Sequence, residues 1–166
     1  IIRPFNVFGP GQKDGKCGAV IPIWTTNLME GKDIKIYGDG TQSREFIYID
    51  DLVSAYKIII DKMLSGKELA GEVINIGTGV DVKVHHLAEV MVDKIEGPWI
   101  EPKNHDFSYP IGESKFKQGE IIYGDARPGE VKRFISNSDK MKSFGWTPKV
   151  DLAEGLEKYI NWRKSL

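Results

Sequence analysis

Five arginines stand among 18 lysines in this chain of 166 residues. Three of the five fall in stretches punctuated by glycine or proline: Arg3 in "RPFNVFGPG", Arg44 in "GDGTQSREF" and Arg127 in "GDARPGE". A guanidinium presents a planar fork of donors that matches a phosphate or carboxylate through two bonds at once, which an ammonium does not. Such placement points to anion recognition at loop junctions; surface or interdomain salt bridging is the competing use, and Arg3 is expected to make an internal structural contact. Asn6 and Asn75 sit at the ends of strand-like runs and offer a donor and an acceptor on one side chain, although turn formation would also place them there. Asp50 and Asp51 read as helix caps rather than as paired catalytic carboxylates. His85 and His86 are adjacent, so on a helix they diverge and cannot chelate as an i, i+4 pair would. Cys17 is the single cysteine, which excludes an internal disulfide and a cysteine-cluster zinc site. No residue is singled out as catalytic and none as a metal ligand.

The elements that must position these residues alternate between strand and helix. A strand is expected from Ile1 to Phe8, ending at Gly9-Pro10, followed by a loop from Gly11 to Gly18. A helix over Ala19 to Met29 is closed by Gly31. Short strands follow at Ile34 to Tyr37 and Glu45 to Ile49, on either side of the Gly38-Asp39-Gly40 turn. From Asp50-Asp51 to about Leu64, apolar residues at Leu52, Ala55, Tyr56, Ile59, Ile60 and Met63 keep helical spacing. A strand over Glu72 to Ile76 breaks at Gly77-Thr78-Gly79, and a helix runs from about Val84 to Ile95, with Asp81 as its expected cap. Pro98 to Gly119 is rich in loop residues, and Ile121 to Tyr123 is a strand. Ser136 or Ser138 is expected to cap a short helix over Ser138 to Phe144. Trp146 is read as a packing anchor, and a last helix spans Leu152 to Lys164. Such alternation argues for an α/β protein.

Composition narrows the function classes. A net charge of −1 provides no field to draw in nucleic acid or an anionic membrane. The longest apolar runs, such as "YKIII", are too short to span a bilayer, and no secretory leader is visible. A cytoplasmic setting is the expectation.

Five blocks occur in order at sensible intervals: "RPFNVFGPGQ", "IKIYGDGTQSREFIYIDDLVSAY", "VINIGTG", "GDARPGEV" and "FGWTPKVDLAEGLEKYINW". Together they resemble the C-terminal half of the extended short-chain dehydrogenase/reductases, the NAD-dependent nucleotide-sugar epimerases and dehydratases. The resemblance implies late strands of a Rossmann-type sheet plus a small mixed α/β substrate-binding subdomain. The N-terminal NAD-binding βαβ units would be absent. On this view 1–166 is one partial domain. Residues 1–18 are a late Rossmann strand and loop, 19–49 a substrate-subdomain helix and strands, 50–82 a return to the Rossmann core, and 83–166 the substrate-binding subdomain.

The same resemblance assigns residues. Arg44 and Arg127 fall where the family meets the substrate pyrophosphate. Asn6 and Asn75 fall where its asparagines meet the substrate. Lys35, Ile36 and Tyr37 match the segment beside the base, and Ala19 and Val20 a further substrate-lining segment. Departures are visible: Phe8 stands where tyrosine is frequent, Glu45 where aspartate is frequent, and Lys83 where a serine or threonine often caps the next helix. Lys103 to Gln118 does not align readily. No G-x-x-G-x-x-G loop is present to hold a pyrophosphate at a helix N-terminus, and "GTGVDVK" lacks the third glycine. No Tyr-x-x-x-Lys pair is present either: Ile60 stands four residues after Tyr56, and Arg163 four after Tyr159. The implied function is therefore the nucleotide-diphosphate-sugar-binding portion of an NAD-dependent, UDP-sugar 4-epimerase-like enzyme, an isomerase of carbohydrate metabolism. NAD serves the intact family but is not expected to bind this chain alone, which would not catalyse by itself. Its expected partner is the missing Rossmann half or a second copy of the chain. The alternative is a truncated or stand-alone, non-catalytic binding or interaction module.

Overall fold

The computed structural model describes residues 1–14, 19–96 and 120–166. Cys17, the end of the loop expected to reach Gly18, and the stretch Pro98 to Gly119 lie outside these. In chain order the described elements are β1 (Ile2–Pro4), β2 (Val7–Phe8), α1 (Val20–Met29), β3 (Ile34–Tyr37), β4 (Ser43–Arg44), β5 (Ile47–Tyr48) and α2 (Ile49–Leu64). They continue with β6 (Ile74–Ile76), β7 (Val82–Lys83), α3 (Val84–Glu96), β8 (Ile121–Gly124), β9 (Arg133–Phe134), α4 (Asp139–Ser143) and α5 (Leu152–Lys164). The fold is mixed α/β, and the chain divides into two units: one of residues 1–12, 42–83 and 131–166, the other of 13–41 and 84–130.

In the first unit, β1 pairs in parallel with β6 and β2 in parallel with β5. β4 lies between β7, antiparallel to it, and β9, parallel to it. The strand expected from Ile1 to Phe8 is thus two strands with different partners. The change of partner occurs at Asn6, whose φ is +39°, a left-handed conformation that asparagine tolerates better than most residues. Phe5 N still donates to Ile76 O at 3.0 Å, whereas Ile47 N already donates to Asn6 O at 3.3 Å. Of the expected strand over Glu45 to Ile49 only Ile47–Tyr48, β5, is strand: β4 lies before it at Ser43–Arg44, and helix α2 already begins at Ile49. Leu52, Ala55 and Ile59, three and four residues apart, form the buried stripe of α2. They pack with Ile47, Ile74, Ile76, Met141 and Trp146 into one apolar cluster.

Asp51 corrects the expectation that it caps α2. The N-cap position is Tyr48, and the buried Asp51 carboxylate accepts from Lys149 N and Val150 N at 2.9 Å each. Its own carbonyl accepts from Trp146 Nε1 at 3.1 Å. Trp146, only 1% exposed, is the packing anchor expected. Ser138 occupies the N-cap position of α4 without capping it through its side chain; its Oγ accepts from Gly77 N at 3.0 Å. α5 has the expected limits, and Asp151 Oδ1 caps it by accepting from Glu154 N at 2.8 Å.

In the second unit, β3 and β8 pair in parallel over four residues, Ile34 opposite Ile121 through Tyr37 opposite Gly124. Ile34 and Ile36 are buried while Lys35 is exposed and Tyr37 half-buried, the alternation of a strand with one face on a core. α1 and α3 contribute Ile21, Trp24, Leu28, Leu87, Ala88, Met91 and Val92 to the buried residues. His85, at the start of α3, anchors the Gly38-Asp39-Gly40 turn: its backbone N donates to Gly40 O at 3.1 Å, and Nδ1 lies 3.1 Å from the same oxygen.

Candidate functional site

The second unit gathers three of the sequence-assigned residues at one end of the β3–β8 pair. Lys35 and Tyr37, two apart on β3, share its outer face. Gly38 N donates to Gly124 O at 2.8 Å, which keeps the chain beyond β8 beside the end of β3. That chain then turns at Arg127-Pro128-Gly129-Glu130, where Glu130 N donates to Arg127 O at 3.2 Å and Gly129 has φ +76°. Proline second and a positive-φ glycine third suit a type II turn. The result is that the Arg127 guanidinium carbon sits 3.8 Å from the centre of the Tyr37 ring, and Lys35 Nζ sits 5.2 Å from the same centre. Ile36, between them, is buried in the core and offers a ligand only its backbone. Ala19 is the N-cap residue of α1 and Val20 its first residue.

The first unit holds Asn6, Arg44 and Asn75, and it puts each to structural use. Asn6 Nδ2 donates to Glu45 O at 2.9 Å. Arg44 Nη1 donates to Ser43 O at 2.8 Å and Val131 O at 2.7 Å. Asn75 Nδ2 donates to Asn137 O at 3.2 Å, but its Oδ1 is buried without a hydrogen-bond partner among the described residues. An orphaned buried acceptor is costly, and in this set Asn75 Oδ1 is the buried one. Arg3 does not make the internal contact expected of it: it is exposed, and among the described residues its side chain has no hydrogen bond or ion pair.

Glu45 is the residue that sequence reasoning missed. Noted only as a departure from aspartate, it is 0% exposed. Its carboxylate accepts from Gly79 N at 2.7 Å, from Ser136 Oγ at 3.1 Å and from Ser136 N. The signal available was an acidic residue at the head of an apolar run, "EFIYI", followed later by a glycine pair. Asp81, the expected cap of α3, instead accepts from Arg133 Nε at 2.6 Å; that bond, the nearby Ser43 hydroxyl and the guanidinium charge hold its carboxyl below the usual range.

These bonds also decide what the glycine loop can hold. After β6 the chain passes Gly77-Thr78-Gly79 into β7, a strand, rather than into a helix. Gly77 N is taken by Ser138 Oγ and Gly79 N by the Glu45 carboxylate. A β-carbon at Gly77 would lie 2.5 Å from Glu45 Oε2. An anion already occupies this loop, so the loop does not fit a dinucleotide pyrophosphate. Among the described residues no group of three or more His, Cys, Asp or Glu could hold a metal ion, and no helix is long and apolar enough to cross a membrane.

Comparison with known proteins points one way. The family described as "NAD dependent epimerase/dehydratase family" matches residues 1–77. A dTDP-D-glucose 4,6-dehydratase of Bos taurus is 33% identical over 162 residues, covering 98% of this chain and 40% of that protein. The crystal structure of a UDP-glucose 4-epimerase with UDP-glucose from Thermotoga maritima superposes with a TM-score of 0.77 at 27% identity, covering 99% of this chain and 45% of that one. A UDP-glucuronic acid 4-epimerase from Bacillus cereus, in complex with UDP-glucuronic acid and NAD, gives 0.76 at 27% identity, covering 99% and 44%. The chain thus spans less than half the length of each. The shared portion is C-terminal and does not include the N-terminal Rossmann units.

Proposed function

We propose that this chain is the nucleotide-diphosphate-sugar-binding portion of an NAD-dependent epimerase or dehydratase, for example one like the UDP-sugar 4-epimerases, and that it does not catalyse on its own. The observation that carries the reading is the cluster of Lys35, Tyr37 and Arg127. Residues far apart in sequence place two cations and an aromatic ring together at the end of one strand pair. A nucleotide diphosphate offers a complementary dianion and a flat base. In this reading Arg127 meets the pyrophosphate, the backbone from Lys35 to Tyr37 lies beside the base, and Ala19 and Val20 line the ligand. Asn6, Arg44 and Asn75 are proposed as further substrate contacts, Asn75 through its unpartnered Oδ1.

Hydride chemistry is assigned to NAD held outside this chain, because the Gly77–Gly79 loop is filled by Glu45 and the sequence has no Tyr-x-x-x-Lys pair. The partner proposed is accordingly an α/β half of the kind that the relatives carry in their remaining length, or a second copy, in the cytoplasm.

Calorimetric titration with UDP tests this. The chain binds UDP, and Arg127→Ala weakens binding about tenfold, since a charge-assisted hydrogen bond contributes about 1.5–3 kcal/mol. Arg163→Ala, on α5, leaves affinity unchanged. Arg127 is the better probe than Arg44, whose loss would also free the Val131 carbonyl. NAD in the same cell gives no specific heat. Equal UDP affinity in the parent and Arg127→Ala would refute the assignment.

A further inference from the structure

The strand alternation of β3 explains why two cations meet at one ring, and β8 explains what lets them. Lys35 is opposite Ile122 and Tyr37 is opposite Gly124 in the parallel register. Gly124 has no side chain, and Lys35 uses the space. A β-carbon at Gly124 would lie 2.2 Å from Lys35 Cε and 2.9 Å from Nζ. The lysine therefore runs across the glycine to bring its ammonium to the Tyr37 ring. Arg127 reaches the same ring from the turn after β8, its guanidinium carbon 3.8 Å from the ring centre. Both cations are exposed, and among the described residues neither has a carboxylate partner. Two like charges around one ring repel, and the negative face of the ring offsets that repulsion only in part. A ligand carrying two negative charges completes the arrangement.

Resting on the reading that this unit meets a nucleotide diphosphate, we propose that Tyr37 and Gly124 are positioning residues for the diphosphate. Tyr37 holds Arg127 and Lys35 as a pair, and Gly124 gives Lys35 its path. The ring serves the anion before it serves the base: at 3.8 Å the guanidinium is in stacking contact, so the face it covers is not open to a nucleobase.

Inorganic pyrophosphate, which has no base, separates the two roles when titrated beside UDP and uridine into the full chain. Tyr37→Leu weakens pyrophosphate and UDP by the same factor, about three- to tenfold, and leaves uridine unchanged. Tyr37→Phe, which keeps the ring, retains the parent's affinities. Gly124→Ala keeps the parent's Tm, because only the flexible end of Lys35 must move, and weakens pyrophosphate as much as Lys35→Ala does. Combining the two costs no more than Lys35→Ala alone. If Tyr37→Leu weakens UDP and uridine but not pyrophosphate, Tyr37 is a base platform and the proposal is wrong. If Gly124→Ala binds pyrophosphate like the parent, Gly124 has no such role. In both cases the nucleotide reading still stands. A parent that binds neither pyrophosphate nor UDP overturns the proposal together with that reading.

Discussion

Glu45 shows how a single residue can close one function while supporting another. Its carboxylate is fully buried and is bonded by Gly79 N, Ser136 N and Ser136 Oγ. A buried charge is tolerated only when donors surround it, and here the donors include the backbone of a glycine loop that would otherwise be open to a phosphate. The same backbone segment accepts from Asn6 through Glu45 O, so Asn6 and the glycine loop are held by one residue. Glu45→Gln keeps the shape but turns one acceptor into an N–H donor facing other donors. It is expected to cost about 1–3 kcal/mol in urea unfolding at pH 7, and a loss below about 0.5 kcal/mol would show that the carboxylate is not the clamp described. Residue types were legible where chemistry is written in the type itself: the arginine forks and the asparagine amides drew attention to Arg127, which the structure sets against Tyr37, and to Asn75, whose Oδ1 is buried without a partner among the described residues. Glu45 was not legible, because burial of a charge is decided by donors more than 30 and 90 residues away in sequence.

At the scale of elements, legibility followed locality. α5 was readable to its limits because its signals are local: an aspartate that caps through Glu154 N and apolar residues at helical spacing. β3 was readable too, but its pairing with β8 was not, since parallel partners come from distant sequence. The run Glu45 to Ile49 read as one strand, whereas the structure has β4 before it at Ser43–Arg44 and β5 only at Ile47–Tyr48, because alternation cannot reveal which strands these will pair with. Helix α3 carries a tension visible only in the structure. Burial, and then the charge of Glu89 one turn earlier, push the Asp93 carboxyl above its ordinary range. A raised acid holds its proton better in the folded state, so its contribution to stability is complete below the unfolded value and is lost as pH rises through the folded one. At pH 7 Asp93, buried beside Glu89, is therefore a net cost. Asp93→Asn is expected to raise Tm at pH 7 and to change it little near pH 3, about where an aspartate is mostly protonated even when unfolded. Differential scanning fluorimetry at the two pH values decides it, and a lower Tm for the variant at pH 7 would contradict the assignment.

For the whole molecule, the question is what the first unit does with the surface it leaves open. Its β1–β6 and β2–β5 pairs are two-stranded and parallel, a form that is ordinarily part of a larger sheet covered on both faces. Helix α2 buries Leu52, Ala55 and Ile59, yet it turns a second apolar flank outward: Val53 and Met63 are each 57% exposed, Ile60 52% and Leu64 82%. These residues lie along one side of the helix, three, four and seven apart, so they form a continuous stripe rather than scattered points. A stripe of this kind on a soluble domain favours a partner, and for a chain on its own the available partner is another copy, joined about a two-fold axis. The expected state of the isolated chain is a dimer with α2 at its contact. Ile60 and Met63 are exposed and are not members of the core cluster, so Ile60→Glu together with Met63→Glu introduces charge into the contact without replacing a buried residue. Light scattering on a size-exclusion column is expected to give about twice the chain mass of 18.7 kDa for the parent and a monomer for the double variant. A parent that remains monomeric at high protein concentration contradicts self-association, and a double variant that still dimerises moves the contact from α2 to the strand edges.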